Sequence, residues 1–195
     1  MILGIIRGAD KNNILEVISA AVAGGIDQLE ITLNTPDALE LIKIASKSGE
    51  VGAGTVLNVK EAEAAVAAGA KFIVSPLTDL ETIKYCKKNK IPVYPGALTP
   101  TEIWRAWEVG ADMVKVFPIK LFGGPDYVRE LKAPFNEIKI LACGGVSPQN
   151  IKEYFKAGAA GVAVGNSVFN RELMGKRSFE LIEQKARELV QALSR

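Results

Sequence analysis

Histidine is absent from the 195-residue sequence. Because histidine is the usual base of nucleophilic triads and the commonest side-chain ligand of zinc, its absence excludes those triads and most His-ligated zinc sites. Cysteine is scarce too: Cys86 and Cys143 lie far apart and in no metal-ligand spacing. This pattern argues against a disulfide scaffold and is typical of a protein in a reducing compartment.

Long apolar runs and a strong charge of either sign are also lacking. No stretch approaches the roughly 18 apolar residues of a membrane span, and the opening run MILGIIRGAD lacks the charged leader of a secretory signal. With 24 basic and 22 acidic residues the formal net charge is +2, which indicates neither a nucleic-acid nor a membrane partner. We therefore expect a cytoplasmic protein whose partner is a small molecule.

What the sequence does contain is a recurring unit, in which a short apolar run ends in turn residues and a helical pattern follows. The chain is 48% hydrophobic, enough for one sizeable core, so we expect a single domain over residues 1–195. The apolar runs are the predicted strands, eight in number, at residues 2–6, 28–32, 51–55, 72–74, 92–96, 113–117, 139–142 and 161–164.

Helix starts between these runs are marked by local signals. A cap residue followed three positions later by a carboxylate predicts a capping box, at Asn58 with Glu61, Thr78 with Glu81 and Thr99 with Glu102. Prolines suited to the first helical position stand at Pro36, Pro100 and Pro148. Eight strands alternating with helices, without a G-x-G-x-x-G run after the first strand, predict an α/β fold of the (β/α)8 TIM-barrel type rather than a doubly wound sheet.

In such a barrel the chemistry belongs at the C-terminal ends of the strands. The run MVKVF carries Lys115 at its centre, and strand alternation puts this lysine on the face opposite the two valines. Glu30 lies on the corresponding face of the second strand, while Arg7 and Thr55 end the first and third. If these faces line the barrel, an amine, a carboxylate and a guanidinium converge near its mouth.

Burial of Lys115 would favour covalent chemistry. A buried ammonium with few partners costs several kcal/mol, and the nearby cation of Arg7 disfavours it further, so part of the amine would be uncharged. A neutral amine condenses with a 2-oxo acid to an imine, and Glu30 could then move the protons without any histidine. The alternative is a buried ion pair of Lys115 and Glu30 that has no chemistry, and the pattern alone leaves both open.

Two loops suggest a site for phosphate. In LACGGVSPQN, Gly144 and Gly145 allow a ligand to approach the backbone, and the following Ser-Pro pair is predicted to open a helix whose free N–H groups favour an anion. A similar loop follows the eighth strand, with Gly165, Asn166 and Ser167. Because the loops after strands seven and eight form the usual phosphate site of this barrel, we expect a phosphorylated ligand.

Six motifs together resemble the family of 2-keto-3-deoxy-6-phosphogluconate (KDPG) and 4-hydroxy-2-oxoglutarate (KHG) aldolases. Each motif is weak alone, but the ordered set covers nearly the whole chain: LEITLNTP at 29–36, GAGTVLN at 52–58, SP at 75–76, VKVFP at 114–118, GGVSPQN at 144–150 and VGNS at 164–167. The resemblance implies a metal-free class I aldolase that needs no cofactor and assembles as a homotrimer.

The resemblance also implies the roles of single residues. Lys115 would form the Schiff base and Glu30 would transfer protons. Substrate-binding positions fall on Thr55 in the pyruvate pocket, on Pro76 and Phe117 of the matching motifs, and on Gly144, Gly145, Gly165, Asn166 and Ser167 around the phosphate.

This sequence departs from the family pattern at two positions. Some relatives carry an arginine where Asn34 stands here, so Arg7 on the first strand is our candidate for binding the substrate carboxylate. Many relatives have a threonine where this chain has Cys143, which removes a hydroxyl donor. We expect Cys143 to be a buried small apolar residue without a catalytic part.

The expected reaction is cleavage of 2-dehydro-3-deoxy-6-phosphogluconate to pyruvate and glyceraldehyde 3-phosphate, with cleavage of 4-hydroxy-2-oxoglutarate to pyruvate and glyoxylate as a second activity. Three alternatives remain open at this point. They are an aldolase for the galactonate epimer, a phosphate-binding isomerase or synthase without covalent chemistry, and a non-catalytic barrel that binds a sugar phosphate.

Overall fold

Parallel strands form the centre of the molecule. The computed structural model describes residues 1–194, and Arg195 lies outside the described residues. The strands are β1 Ile2–Ile6, β2 Gln28–Thr32, β3 Val51–Gly54, β4 Ile73–Val74, β5 Val93–Tyr94, β6 Gly96–Ala97, β7 Val114–Val116, β8 Ile140–Cys143 and β9 Gly161–Val164. Every paired neighbour is parallel, in the order β5-β4-β3-β2-β1-β9-β8-β7-β6.

The strand predicted at 92–96 is interrupted, which explains nine strands in residues 1–194 where eight were predicted. β5 pairs with β4 and β6 pairs with β7, and Pro95 between them lacks the N–H that an unbroken ladder needs. The carbonyl of Pro95 still accepts a hydrogen bond from the amide of Lys115 at 2.8 Å. Because residues 93–97 are continuous, the two ends of the strand order meet and the predicted TIM barrel is confirmed.

Helices follow most of the strands and form the outer layer. Within residues 1–194 they are α1 Ile14–Ala23, α2 Ala38–Ala45, α3 Val59–Ala67, α4 Leu80–Lys88, α5 Pro100–Glu108, α6 Pro125–Lys132, α7 Ile151–Lys156, α8 Arg171–Gly175 and α9 Phe179–Ser194, with a 3₁₀ turn at Ile119–Phe122. None of them has both the length and the apolar character that crossing a bilayer requires.

Two of the predicted helix starts are confirmed. The Asn58 side chain accepts a hydrogen bond from the Glu61 amide at the start of α3. Thr99 and Glu102 form the full capping box of α5, and Pro100 occupies the first turn as predicted. These boundaries depend on residues three positions apart, so the sequence contains the information that specifies them.

Three other predicted helix starts are wrong, in each case because a neighbouring residue or turn takes the place. Thr78 does not cap α4; its hydroxyl donates to the carbonyl of Gly96 in β6, and Asp79 is the cap. Pro36 and Pro148 lie in turns, since α2 begins only at Ala38 and α7 only at Ile151.

The two faces of the strands have different surroundings. Leu29, Ile31, Val114 and Val116 are buried in the large core between barrel and helices. A separate interior cluster fills the lower barrel, made of Leu3, Ile5, Phe72, Val74, Tyr94, Leu141, Cys143 and Ala163 with Met1 and Met113 against it. The face that carries Lys115 and Glu30 is therefore the inner one, as the alternation predicted.

Candidate active site

Lys115 lies inside the barrel at the middle of β7. The residue is 6% exposed, and its nearest carboxylate is that of Glu30, with Nζ 3.9 Å from Oε1. The same nitrogen lies 5.9 Å from the centre of the Phe117 ring. At 3.9 Å the two charged groups are in ion-pair range but beyond hydrogen-bond range, so the amine is held next to the carboxylate without being locked to it.

Glu30 is completely buried on β2. Within residues 1–194 neither of its carboxylate oxygens has a hydrogen-bond partner. Burial raises the pKa of Glu30 above its ordinary value, and the charges of Lys115 and Arg7 oppose that shift only in part. A carboxyl group that holds its proton more tightly than usual, and has free oxygens, is suited to carry protons during a reaction.

Gly54 on β3 makes the space that Glu30 occupies. A Cβ atom at position 54 would lie 2.3 Å from Glu30 Oε1, a distance that no side chain tolerates. The neighbouring strand therefore has to present bare backbone beside the carboxylate. This close approach explains why the run VGAG carries a glycine within a strand.

Arg7 and Thr55 meet at the mouth above this pair. The Nη2 atom of Arg7 donates a hydrogen bond of 3.3 Å to the Thr55 hydroxyl. Thr55 has a φ of 58°, a left-handed conformation that is strained for a β-branched residue. This conformation turns the chain at the end of β3 and brings a hydroxyl next to a guanidinium, a pairing suited to bind a carboxylate.

A cavity of about 360 Å³ opens above Lys115. The side chains and backbone around it include seven of the predicted site residues, Arg7, Thr55, Pro76, Lys115, Phe117, Gly165 and Asn166, together with Ile5, Cys143, Phe169 and Arg171. We refer to it as the amine cavity. Its two guanidinium groups and one amine make it suitable for an anionic ligand.

A second cavity of about 280 Å³ adjoins the first. It is lined by the remaining predicted substrate-binding residues, Gly144, Gly145 and Ser167, with Val146, Ala163 and Val164. It shares Ile5, Cys143, Gly165 and Asn166 with the amine cavity, and Glu30 lines neither cavity. We call it the loop cavity. Because the two cavities share part of their walls, one elongated ligand can occupy both.

The loop after β8 is held open by its own hydrogen bonds. Gly144 and Gly145 have φ angles of 112° and 75°, values that favour glycine. The Asn150 side chain accepts from the Ser147 amide and donates to the Gly145 carbonyl, both at 2.9 Å. The Ser-Pro pair does not open a helix as predicted, because this turn of residues 147–150 comes first.

Comparison with known proteins gives the family. The model of "KDPG and KHG aldolase" matches residues 1–185. The chain belongs to this aldolase family. Its members cleave carbon–carbon bonds of small oxo acids, so the chain is an enzyme of the lyase class.

Two characterised relatives have different substrates in their names. The chain is 34% identical to 2-dehydro-3-deoxy-6-phosphogalactonate aldolase of Escherichia coli K12, over 98% of this chain and 93% of that protein. It is 31% identical to 2-dehydro-3-deoxy-phosphogluconate aldolase of Pseudomonas aeruginosa, over 97% of this chain and 88% of that protein. The two identities are too close to distinguish the gluconate from the galactonate series.

Solved structures of similar proteins superpose closely. KDPG aldolase of Legionella pneumophila, with pyruvate captured as a covalent carbinolamine intermediate, is 28% identical with a TM-score of 0.90, covering 96% of this chain and 93% of that one. A cube-shaped protein cage designed by fusing symmetric oligomeric domains is 32% identical with a TM-score of 0.92, covering 99% of this chain and 72% of that one.

A larger cavity of about 600 Å³ in this aldolase lies between the loops that follow β2 and β3 and the helices α2 and α3. It shares only Thr55 with the amine cavity, and its charged side chains are the carboxylates of Asp37, Glu40 and Glu61. These charges do not suit a ligand that is itself anionic. Among residues 1–194 no cluster of three His, Cys, Asp or Glu side chains is arranged to hold a metal ion.

Sequence reasoning assigned no site role to four residues that line the amine cavity, which are Ile5, Cys143, Phe169 and Arg171. Cys143 is buried as expected, but it faces the barrel interior and lines both cavities; its place two residues after the inward Leu141 could have indicated this. Phe169 lies in the loop between β9 and α8, and Arg171 is the first residue of α8. Neither belongs to a strand, so no periodicity in the sequence indicates where they point.

The buried carboxyl gives a prediction for stability. Because the pKa of Glu30 is raised in the folded protein above the ordinary 4.5, its contribution to stability is complete below about pH 4.5 and decreases as pH rises through the folded value. We expect Glu30→Gln to become progressively more stable than wild type as pH rises, by at most about 1.4 kcal/mol per pH unit. Urea unfolding at pH 4 to 9 measures this difference.

A matched control for this experiment is Glu180→Gln, which removes an exposed carboxylate from α9. Its stability curve should run parallel to that of wild type over the whole pH range. If Glu30→Gln also runs parallel, the buried carboxyl does not titrate as described.

Proposed function

We propose that this aldolase works by class I chemistry, in which the Lys115 amine forms an imine with a 2-oxo acid and no metal takes part. The observation that carries the proposal is the geometry of Lys115, whose amine is buried 3.9 Å from the Glu30 carboxyl, beneath a cavity with cationic walls. The similar structure in which pyruvate was captured as a carbinolamine supports the same chemistry here.

The reaction begins with attack of the uncharged amine of Lys115 on the ketone carbon of the substrate. Glu30, as the carboxylic acid, donates a proton to the carbinolamine hydroxyl, water leaves, and a cationic imine forms. The resulting Glu30 carboxylate then takes the proton of the C4 hydroxyl. The C3–C4 bond breaks, its electron pair moves to the imine nitrogen as an enamine, and the aldehyde departs.

The second half of the reaction restores the enzyme. The proton that Glu30 took from the hydroxyl is returned to C3 of the enamine, which regenerates the cationic imine of pyruvate. Water adds to this imine and gives one proton to the Glu30 carboxylate, which restores the carboxylic acid. The hydroxyl proton of the carbinolamine then passes to the nitrogen as the C–N bond breaks, and pyruvate leaves with the Lys115 amine free again. Each proton taken by the carboxylate is given back, so a single buried acid is sufficient for both halves.

The substrate that fits both cavities is a phosphorylated 2-keto-3-deoxy sugar acid. We assign its carboxylate to Arg7 and Thr55, which are already paired at 3.3 Å, and its phosphate to the loop cavity. Pro76 and Phe117 form the wall beside the three-carbon portion. The proposed activity is cleavage of 2-dehydro-3-deoxy-6-phosphogluconate, and 4-hydroxy-2-oxoglutarate shares the pyruvoyl half that would make it a second substrate.

The galactonate epimer is the second candidate substrate, favoured by the 34% identity to an aldolase of that name. The two substrates differ in configuration at C4, and the wall that the two cavities share consists of Ile5, Cys143, Gly165 and Asn166. The Cys143 thiol is a weak hydrogen-bond donor and the Ile5 side chain has none, so Asn166 is the one side chain of this shared wall that can bind a hydroxyl strongly. We therefore expect discrimination between the epimers to be weaker than a site with a threonine at position 143 would give.

We also propose a homotrimer in the cytoplasm. Both cysteines are free and buried, in keeping with a reducing compartment. Large apolar side chains are exposed on loops after β3, β4 and β7, among them Leu57, Leu77 and Leu121, the last being 78% exposed. Exposed apolar side chains of this kind are typical of a surface that another chain covers, and a similar chain has been built into a cage of symmetric oligomeric domains.

The proposed activity predicts a specific loss in two variants. Lys115→Met should abolish pyruvate release from 2-dehydro-3-deoxy-6-phosphogluconate, because no nucleophile remains. Glu30→Gln should lower kcat by about 10²- to 10⁴-fold, the usual contribution of a general acid or base. Coupling pyruvate to lactate dehydrogenase measures both, and EDTA should leave the wild-type rate unchanged. Full turnover by Lys115→Met would contradict the proposal.

The assembly gives a separate prediction. Light scattering after gel filtration should give the mass of three chains, and Leu121→Asp should shift it toward one chain because the new charge would be buried in a contact. Leu181→Asp is the control, since that side chain is 46% exposed on α9 and its substitution should leave the mass unchanged. A single-chain mass for the unaltered protein would refute the assembly.

A further inference from the structure

The loop cavity has no charged side chain of its own. Its lining consists of glycines, small apolar residues, Asn166 and Ser167. Backbone N–H groups and a hydroxyl can bind phosphate oxygens, but a phosphate monoester carries about −1.5 to −2 charges at neutral pH, and a buried anion without a counter-charge is disfavoured. A cation from a neighbouring wall would therefore stabilise a phosphate in this cavity.

Arg171 is placed to supply that cation. It lines the amine cavity and lies four residues beyond Ser167, at the end of the same loop that contributes Gly165 and Asn166 to both cavities. Arg7, the other guanidinium of the amine cavity, is hydrogen-bonded to Thr55 on the far side. Among residues 1–194 Arg171 forms no salt bridge with a carboxylate.

The backbone around Arg171 is anchored on both sides. The preceding Phe169 is buried, and its ring fills the space beside Gly4, where a Cβ would lie 2.7 Å from it. Asn170 caps α8 by accepting a hydrogen bond of 2.7 Å from the Glu172 amide. The start of the Arg171 side chain is therefore held in place by burial on one side and a cap on the other.

The Arg171 side chain lies against Gly8. A Cβ at position 8 would be 2.6 Å from Nε of Arg171 and 3.2 Å from Cδ and Cγ, so the arginine side chain lies directly over the bare Cα of Gly8. The φ of Gly8 is 85°, a conformation that favours glycine. β1 is thus followed by Arg7, which we assign to the substrate carboxylate, and then by Gly8, against which the second arginine packs.

We propose that Arg171 binds the phosphate group of the substrate and so selects phosphorylated over unphosphorylated oxo acids. This inference rests on the proposed aldolase function. The planar guanidinium forms two parallel hydrogen bonds to a phosphate, which a lysine cannot do. Arg7 and Arg171 would then bind the two anionic ends of one substrate, with Lys115 at the ketone between them.

Lys120 is the competing cation. Its stem lies over Gly145 in the loop cavity wall, where a Cβ would be 2.5 Å from Cδ. Lys120 and Arg171 are both exposed, but only Arg171 lines one of the two cavities. A flexible ammonium at the surface is more strongly hydrated than a guanidinium and loses more side-chain entropy on binding. We therefore assign the phosphate to Arg171 and include Lys120 in the test.

The test compares a phosphorylated substrate with pyruvate, which has no phosphate. Arg171→Gln should raise KM for 2-dehydro-3-deoxy-6-phosphogluconate about 10- to 100-fold, the usual effect of losing a charged hydrogen bond, and weaken inhibition by inorganic phosphate to a similar degree. Exchange of the pyruvate methyl protons with deuterium, followed by NMR, should stay within about twofold of wild type. Arg171→Lys should recover part of the affinity.

A control variant and two contradicting outcomes accompany this test. Arg105→Gln, which removes an exposed arginine from α5, should change neither measurement. An unchanged KM in Arg171→Gln, or a large rise in KM in Lys120→Gln alone, would overturn the assignment of the phosphate to Arg171. Failure of the wild-type protein to exchange pyruvate protons would instead overturn the aldolase chemistry itself, so the two failures are distinguishable.

Discussion

The structure depends most on one pair of buried groups, the amine of Lys115 and the carboxyl of Glu30. Placing two ionisable groups inside a barrel is unfavourable unless they stabilise each other, and here they lie 3.9 Å apart with the carboxyl otherwise unpartnered within residues 1–194. A tighter pair would be more stable but would hold both groups in their charged forms. The proposed class I chemistry requires this open geometry, because it needs an amine that is free to react and a carboxyl group that is free to exchange its proton.

The surrounding barrel is built to keep that geometry. Leu3, Leu141 and their neighbours fill the lower interior with apolar side chains, so water does not reach the pair from below. Gly54 brings bare backbone against the carboxyl, and the left-handed Thr55 turns a hydroxyl toward Arg7. The result is an apolar layer beneath a cavity mouth with cationic side chains, which favours an anionic substrate above the Lys115 amine.

Much of this arrangement is predictable from the sequence because it follows from strand alternation. The alternation of side chains in MVKVF and QLEIT is sufficient to place Lys115 and Glu30 on the inner face of the barrel. The capping box of Thr99 and Glu102, two residues that are three positions apart, specifies the start of α5. The sequence does not reveal contacts made through space. Thr78 donates a hydrogen bond to Gly96 rather than capping its helix, Pro95 divides a strand, and the Arg171 side chain packs against Gly8.

The most direct test of the central claim is covalent trapping of the amine. Protein incubated with pyruvate and reduced with borohydride should be digested and its peptides weighed, because reduction converts the imine into a stable secondary amine. The account predicts a pyruvate-derived adduct on the peptide that contains Lys115 and none on Lys115→Met. An adduct on a different lysine, or cleavage of substrate with no adduct at all, would contradict it.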